Sequence, residues 1–189
     1  MGGALLATQA GAAPKKLPPG TWCGGTLWRL MTLSDALRNR VELQGYATTV
    51  SDISKVPPPK RIVPVRTTGF QRQAWKLHTV IDRYRVASNG EIVLILYSID
   101  SGQYMNAYLP NPHCLGPRAR DRKGMIAARN ELTAHCPKVT PAWQLSGATV
   151  DVSGVGFWNP KTNTRGALPT GAELRPVTDL KIVSGCGVG

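Results

Sequence analysis

Two tight-turn signals on either side of one apolar run constrain the fold of this chain more than any other feature. Asn89-Gly90 stands between two segments of strand-like composition, and Asn-Gly is the pair that a two-residue hairpin turn favours. The segment "EIVLILYSID" that follows is almost continuously apolar, which is typical of a strand covered on both faces. Ser101-Gly102 then marks a second turn before "QYMNAYLP". The sequence therefore predicts three consecutive antiparallel strands, beginning near Gln73.

The first of these strands is predicted to bend. "WKLHTVIDRYRVAS" carries β-branched and aromatic residues over a long span, and its alternation slips near Val80-Ile81. Such a slip indicates a β-bulge, which lets one strand turn the corner of a barrel.

A helix is predicted after the third strand. In "GMIAARNELTAHC", Met125, Ile126, Arg129 and Leu132 recur at helical spacing, with the three apolar residues on one side. Pro137 ends the helix because proline cannot continue it.

Two further strands follow the helix. "ATVDVSGVGFW" alternates cleanly until Gly154 and Gly156, where we expect a bulge or a close approach of another backbone. "ELRPVTDLKIV" is the last strand, and Pro176 makes it bent or edge-like because proline cannot donate to a ladder.

Five strands with one helix between the third and the fourth are the arrangement of the OB-fold, a partly open Greek-key barrel. The sequence thus predicts a mainly β protein: a five-stranded OB-like barrel with one capping helix and an irregular N-terminal arm. The predicted boundaries are 1–13 for a signal-peptide remnant or disordered leader, 14–70 for a Pro/Trp-rich arm and connector, 71–184 for the barrel and 185–189 for a tail.

Three pieces of the chain resemble one family. "EIVLILYSIDSGQYMNAYLPNPHC", "IAARNEL" and "VSGVGFWNPKTNTRGALPTGAELRPVTDLKI" are similar to small, exported bacterial OB-like proteins that share a Gly-Val-Gly-Phe and Glu-Leu-x-Pro-Val pair. The similarity covers roughly residues 70–183. It implies a fold and an export route, but no established reaction. This chain departs from the family pattern at Asn159, where an acid is expected, and at Arg175, where histidine is usual.

The N-terminal residues also bear on the compartment. "MGGALLATQAGAAP" is small and apolar, and Ala10-Gly11-Ala12 fits a signal-peptidase site, although a positive n-region is missing. We therefore expect a secreted or periplasmic protein, with a disordered leader as the alternative. No stretch has the length of a transmembrane helix. The Trp-rich arm and its Pro57–Pro59 run offer a surface to a protein partner.

The four cysteines, at wide spacings and without a C-x-x-C motif, predict two disulfides formed in an oxidising compartment. Three pairings are open, and we expect Cys114–Cys136 with Cys23–Cys186. The alternative is metal binding by the two His-Cys dipeptides. Because adjacent residues rarely reach one ion without strain, we expect no metal site.

The net charge indicates the kind of ligand. The chain has 189 residues, with 23 Lys plus Arg against 11 Asp plus Glu, a formal charge of +12. Such an excess attracts polyanions, either single-stranded nucleic acid or an acidic oligosaccharide, although it is also compatible with mere solubility.

An OB-fold usually binds on the face of its second and third strands, beside the loops after the first and fourth. In this sequence those places hold aromatic rings for stacking and cations for phosphate or carboxylate. The predicted ligand-binding residues are Arg83, Arg85, Tyr97, Tyr104, Tyr108, Trp158, Lys161 and Arg165.

No catalytic residue or cofactor is predicted. The sequence lacks G-x-S-x-G, H-E-x-x-H, P-loop and dinucleotide motifs. Two alternatives to the binding protein remain: a structural or protein-interaction subunit of an envelope or extracellular assembly, and an OB-fold metal-dependent nuclease. The residues available to a nuclease are Asp82, Asp100, Asp151, Glu173 and Arg175.

Overall fold

Strands dominate the structure, a computed structural model that describes Cys23 and residues 25–186. The strands are β1 (Glu42–Ala47), β2 (Gln73–Val86), β3 (Ile92–Tyr97), β4 (Tyr104–Leu109), β5 (Gln144–Trp158) and β6 (Ala172–Ser184). The helices are α1 (Trp28–Met31), α2 (Val50–Ser54) and α3 (Arg122–His135), with 3-10 turns at Gly25–Leu27, Arg38–Arg40, Phe70–Arg72 and Pro112–Cys114. The predicted leader 1–13 lies outside the described residues.

Five of the strands form a closed ring. The hydrogen-bonded order is β1-β2-β3-β4-β6-β5, and β5 also pairs with β2, so that β2 to β6 close on themselves. The mainly β prediction is confirmed. The sixth strand, β1, runs parallel to the first part of β2. It lies within residues 14–70, where the sequence analysis predicted no strand.

The two predicted turns join β2 to β3 and β3 to β4. Gly90 and Gly102 have φ values of 80° and 66°, which a residue without a Cβ adopts at no steric cost. β3 and β4 then pair without interruption from Ile92–Leu109 to Tyr97–Tyr104. Five of the six residues of β3 are buried, as the apolar run predicts.

The predicted bulge in β2 is present one residue further along. The register shifts between Ile81 and Arg83 in the pairings with both β3 and β5. Because one extra residue is accommodated there, Ile81 and Tyr84 both point into the core, at 0% exposure. Arg83 therefore falls on the outer side of the ring.

The glycines of β5 also behave as predicted. The pairing of β5 with β6 shifts on either side of Gly154, and a Cβ at Gly156 would overlap the backbone of Phe70. The edge-like alternative for the last strand is wrong, since β6 has a neighbour on each side, β4 and β5.

The helix α3 forms where the spacing predicts it. Asp121 caps its N-terminus by accepting a hydrogen bond from the Gly124 amide. Ala128 and Leu132 join the main core inside the ring. Met125 contributes to a second cluster of buried residues around Leu33, Val41, Ala74, Leu115, Ala119 and Val155. Within the described residues, no helix combines the length and the apolar character that a membrane span requires.

Two disulfides are present, but the favoured pairing is wrong. Cys23 bonds to Cys114 and Cys136 to Cys186, with Cα–Cα distances of 5.7 and 4.4 Å. The 14-residue helix α3 is about 21 Å long, and Cys136 directly after it lies beside the end of β6. A disulfide needs Cα atoms within about 7 Å, so Cys136 bonds to its neighbour in space.

A buried ion pair joins distant parts of the segment that precedes the ring. Arg66 donates to Asp35 from Nε and Nη2, at 3.1 and 2.9 Å. It also donates to the carbonyl oxygens of Leu30 and Gln71. Residues 25–70 are thus held by directional contacts, whatever the irregularity of their backbone.

Candidate functional site

Strand register places most of the predicted site residues in rows on one surface. Residues directly opposite each other in paired strands lie on the same side of the sheet. We call this surface of β2, β3 and β4, which faces away from the core, the outer face. Its three rows are Val80–Tyr97–Tyr104, Arg83–Ile95–Asn106 and Arg85–Val93–Tyr108.

The outer face continues onto β6. Ala107 pairs in parallel with Leu174, and both belong to the core. The adjacent residues of β6, Glu173 and Arg175, therefore lie on the outer side beside β4. The guanidinium of Arg175 confirms this placement, since it lies 4.1 Å from the centre of the Tyr108 ring.

One end of the outer face presents aromatic rings to solvent. The Tyr97 and Tyr104 rings are 4.9 Å apart at an interplanar angle of 40°. Tyr104 is 44% exposed and Tyr97 is half-buried. Arg83, in the neighbouring row, donates to Asp82 at 2.6 Å. These three predicted residues are brought together as the sequence indicates.

Arg85 has a partner that the sequence analysis missed. Its guanidinium lies 4.7 Å from the centre of the Trp143 ring, a cation–π distance. The Arg85 Nε is buried and has no hydrogen-bond partner. Trp143 lies just before β5. In the sequence, the sole sign of its role is that it is a tryptophan among the small and polar residues Pro141, Ala142 and Gln144.

Two predicted ligand contacts are inside the protein instead. Trp158 is 0% exposed, packs 4.8 Å from the Phe70 ring and donates from Nε1 to the Thr68 hydroxyl at 3.0 Å. Tyr108 is buried beneath Arg175, and this burial raises the pKa of its hydroxyl. A large ring gains more from burial than from exposure on a loop. The expected exposure of Trp158 and Tyr108 is therefore corrected.

Residues 159–171, which we call the β5–β6 loop, cross the outer face. Lys161 and Arg165 are exposed on it. A Cβ at Gly166 would collide with Asn106 and Ile95, so the loop backbone lies directly on the middle row. Asn106 reaches the loop through a hydrogen bond of 3.5 Å to the Thr164 hydroxyl.

A buried charged group lies at the base of this loop. Arg175 donates from Nε to Glu91 at 3.1 Å, makes a second hydrogen bond to Glu91 through Nη2, and donates from Nη1 to Glu173 at 3.4 Å. Asn159 donates to the other oxygen of Glu173 at 3.0 Å. We call Glu91, Asn159, Glu173 and Arg175 the Arg175 cluster.

The cluster has two carboxylates for one guanidinium, and its pKa values reflect this excess. Burial raises the pKa of Glu173 to about 7, against the opposing attraction of Arg175. Burial disfavours the charge of Arg175, but Glu91 and Glu173 outweigh it and raise the pKa of Arg175. Asn159 and Arg175 both contact Glu173.

Sequence reasoning missed Glu91 and Asn106. Each carries a local signal: Glu91 is the charged residue directly before the apolar strand β3, and Asn106 is the one amide within β4. Neither signal indicates burial, because the contacts are distant in sequence: Asn106 meets Thr164 of the loop 58 positions away, and Glu91 meets Arg175 of β6 84 positions away.

The acids proposed for a nuclease do not converge. Asp82 pairs with Arg83, Asp100 is exposed, and Asp151 accepts from His78 at 2.8 Å, which lowers the pKa of Asp151. Among the residues that the structure describes, no group of three His, Cys, Asp or Glu could hold a metal ion. The His-Cys dipeptides offer no thiolate, since all four cysteines are in disulfides.

No protein-family model matches the chain, and a search of curated proteins finds no match. What the protein binds is therefore inferred from its own residues.

Proposed function

We propose that this protein is an exported, non-catalytic binding protein that holds a polyanion on the outer face of an OB-like barrel. One observation carries the proposal: strand register groups Arg83, Arg85, Tyr97 and Tyr104 on one face, crossed by a loop with two exposed cations. Aromatic rings beside cations are the combination that single strands and acidic chains require.

The barrel assignment is supported by the order of the ring strands. α3 lies between the third and fourth of them, and the fifth, β6, inserts between the third and fourth in space. An OB-like barrel places ligands on the face of its second and third strands, which are β3 and β4 here. Membership of the exported bacterial family remains part of the proposal. The two disulfides support export, because such bonds persist in oxidising compartments.

The distribution of charge also supports a polyanion. Two arginines, Arg66 and Arg175, are buried together with three acids, Asp35, Glu91 and Glu173. Setting these aside from the 23 basic and 11 acidic residues of the chain leaves 21 basic against 8 acidic residues. These five buried groups sum to −1, so the other charged residues of the chain carry a formal charge of +13, one unit more than the chain as a whole.

The test is salt-dependent binding of a fluorescent twenty-residue oligothymidylate and of fluorescent heparin. We expect the double variant K161Q/R165Q to weaken both complexes about tenfold at 0.1 M salt, and to reduce the slope of log K against log salt by about 1.4 for the oligonucleotide. The matched control is K76Q/K181Q, which removes two exposed charges from the parts of β2 and β6 that pair with β5, away from β3 and β4.

Equal losses in both variants would show that only net charge matters and would remove the site from the outer face. No salt-sensitive retention of either ligand by the unaltered protein would overturn polyanion binding altogether and leave the protein-interaction role. A Tyr104→Ala variant separates the two ligand sources, since stacking on a ring contributes about 1–3 kcal/mol per base but little to a sulfated chain.

A further inference from the structure

Beneath the β5–β6 loop, one buried acceptor has no donor. Asn106 is 1% exposed, and its Oδ1 makes no hydrogen bond. Leaving a buried polar atom unpaired costs about 1–3 kcal/mol, and buried polar atoms in folded proteins are nearly always satisfied. A group that is absent here and that donates a hydrogen bond would remove this cost.

The neighbours of Asn106 are also acceptors. Strand register places Glu173 beside it, and the Arg175 cluster holds two carboxylates against one guanidinium. All four carboxylate oxygens of Glu91 and Glu173 already accept hydrogen bonds, so under the loop the acceptor without a donor is Asn106 Oδ1. Such a surface favours a ligand with hydroxyl groups and disfavours direct contact with phosphate.

The rim of the same surface is cationic. Arg85 has a buried Nε without a partner, and Lys161 and Arg165 are exposed without an ion pair to any described residue. A ligand that matches both parts carries hydroxyl donors on a ring and anionic groups at its edge. Acidic saccharides have this chemistry, whereas a deoxyribonucleotide backbone has anionic groups and no free hydroxyls.

We propose that the β5–β6 loop is a lid over a saccharide subsite, where Asn106 accepts a hydrogen bond from a hydroxyl group of an acidic oligosaccharide. Arg85 and the two loop cations bind its carboxylate or sulfate groups. This inference rests on the proposed polyanion-binding function and selects one of its two ligand classes.

The β5–β6 loop is bonded firmly at its ends and weakly at its middle, as a lid is. At its base, the Asn159 side chain donates a hydrogen bond to Glu173, and the Asn159 backbone N–H donates one to the Gly171 carbonyl. At its middle, the loop meets the face through Gly166, which has no side chain, and through one long hydrogen bond from Asn106. Leu168, two residues after Gly166, is buried in the main core and holds the end of the loop, so lifting the middle uncovers Asn106 and Ile95.

The experiment compares two ligands of equal charge, tetragalacturonic acid with four carboxylates and pentathymidylate with four phosphodiesters, by titration calorimetry. We expect the unaltered protein to bind tetragalacturonic acid at least tenfold more tightly. Asn106→Leu, which keeps the side-chain shape and removes the acceptor, should weaken that complex about five- to tenfold and leave pentathymidylate unchanged. The variant should fold, because an apolar isostere leaves no unpaired atom, and near-UV circular dichroism verifies this.

Equal or tighter binding of pentathymidylate would overturn the saccharide assignment in favour of nucleic acid, and so would an unchanged affinity of Asn106→Leu for tetragalacturonic acid. Neither result contradicts the proposed function. That function fails only if K161Q/R165Q and the control K76Q/K181Q lose binding equally, or if no polyanion binds.

Gly166→Ala tests the lid separately. Its φ of 76° and its contact with Asn106 force the loop off the face, so amide exchange at 105–108 should accelerate and tetragalacturonic acid should dissociate faster. Unchanged exchange and dissociation would show that the loop is not a lid.

Discussion

Two buried arginines hold this protein together in opposite ways. Arg66 meets one carboxylate, Asp35, and two backbone carbonyls, so its charge is balanced and its donors are used. Arg175 meets two carboxylates, and burial, with a smaller contribution from the charge of Glu91, raises the pKa of Glu173 to about 7. Burial lowers the pKa of Arg66, whereas the paired acids raise that of Arg175.

The difference distinguishes an ion pair that only stabilises the fold from a cluster whose charge changes with pH. The Arg66–Asp35 pair stabilises the fold equally at every pH at which both groups are charged. Arg66 also joins α1 to the Phe70–Arg72 turn through the carbonyl oxygens of Leu30 and Gln71. The Arg175 cluster contains a carboxyl group, Glu173, that changes its protonation near neutral pH. This cluster lies at the base of the loop that covers the outer face. Perturbed acids of this kind are more common at functional sites than elsewhere.

The largest expected effect comes from breaking the balanced pair. Arg66→Met leaves Asp35 buried without a cation and two carbonyls without a donor, and we expect a loss of about 3–5 kcal/mol in the free energy of unfolding. Urea denaturation followed by tryptophan fluorescence measures it. The double variant Asp35→Asn/Arg66→Met should recover part of the loss, because it removes the uncompensated charge while the amide still accepts from the Leu37 N–H.

If the single and double variants are equally unstable, the charge of Asp35 is not the cause and the lost carbonyl contacts are. Polyanion binding by either variant, measured below its unfolding transition, should equal that of the unaltered protein, since neither residue lies on the outer face.

The next effect comes from neutralising the unbalanced cluster. Glutamate ordinarily loses its proton near pH 4.5, but Glu173 in the folded protein retains it to about pH 7. Between these values the folded state binds more protons than the unfolded state, so this group lowers stability as pH rises from about 4.5 to 7. Glu173→Gln removes the penalty and should raise the free energy of unfolding by about 1–3 kcal/mol at pH 8, and by nothing at pH 4.

Denaturation midpoints of both proteins at pH 4, 6 and 8 provide the measurement, and the difference between the proteins isolates this residue from other carboxylates. A destabilised Glu173→Gln at pH 8 would mean that the ionised carboxylate is needed to satisfy Arg175, which contradicts the surplus of negative charge.

The smallest effect concerns the tie between the cluster and the loop. Asn159→Ala removes one hydrogen bond to Glu173 and should cost about 1 kcal/mol at pH 8. Because that bond favours the charged form, its loss should also raise the pKa of Glu173 further. Asn159→Asp is the informative companion: a third carboxylate should destabilise the protein more at pH 8 than at pH 5. An Asn159→Asp variant with no pH dependence would show that solvent reaches the cluster.

The strands of the ring, the bulge in β2 and the helix were predictable because they depend on local pattern. Asn89-Gly90 and Gly102 make turns that few other residues allow, and alternation in β5 assigns sides without knowledge of a partner. The grouping of Arg83, Arg85, Tyr97 and Tyr104 on one face follows from the same regularity. β1 was missed, because its pattern of half-buried and exposed residues is weak and its only ladder partner, β2, is distant in sequence.

The site was predicted only in part. Trp158 and Tyr108 were expected on the surface and are buried, since a pattern identifies a large ring but not what packs over it. The disulfide pairing was also wrong, because it depends on where α3 delivers Cys136 in space.

The strand content, the turns, the helix, the excess of positive charge and the presence of two disulfides can be inferred from the sequence alone, because each depends on residue chemistry or on contacts between near neighbours. Which charges remain at the surface depends on the fold. It placed Arg175 between Glu91 and Glu173, residues 84 and 2 positions away along the chain, and laid the β5–β6 loop over Asn106. Burial and charge pairing depend on distance in space, and the closing of the ring sets that distance.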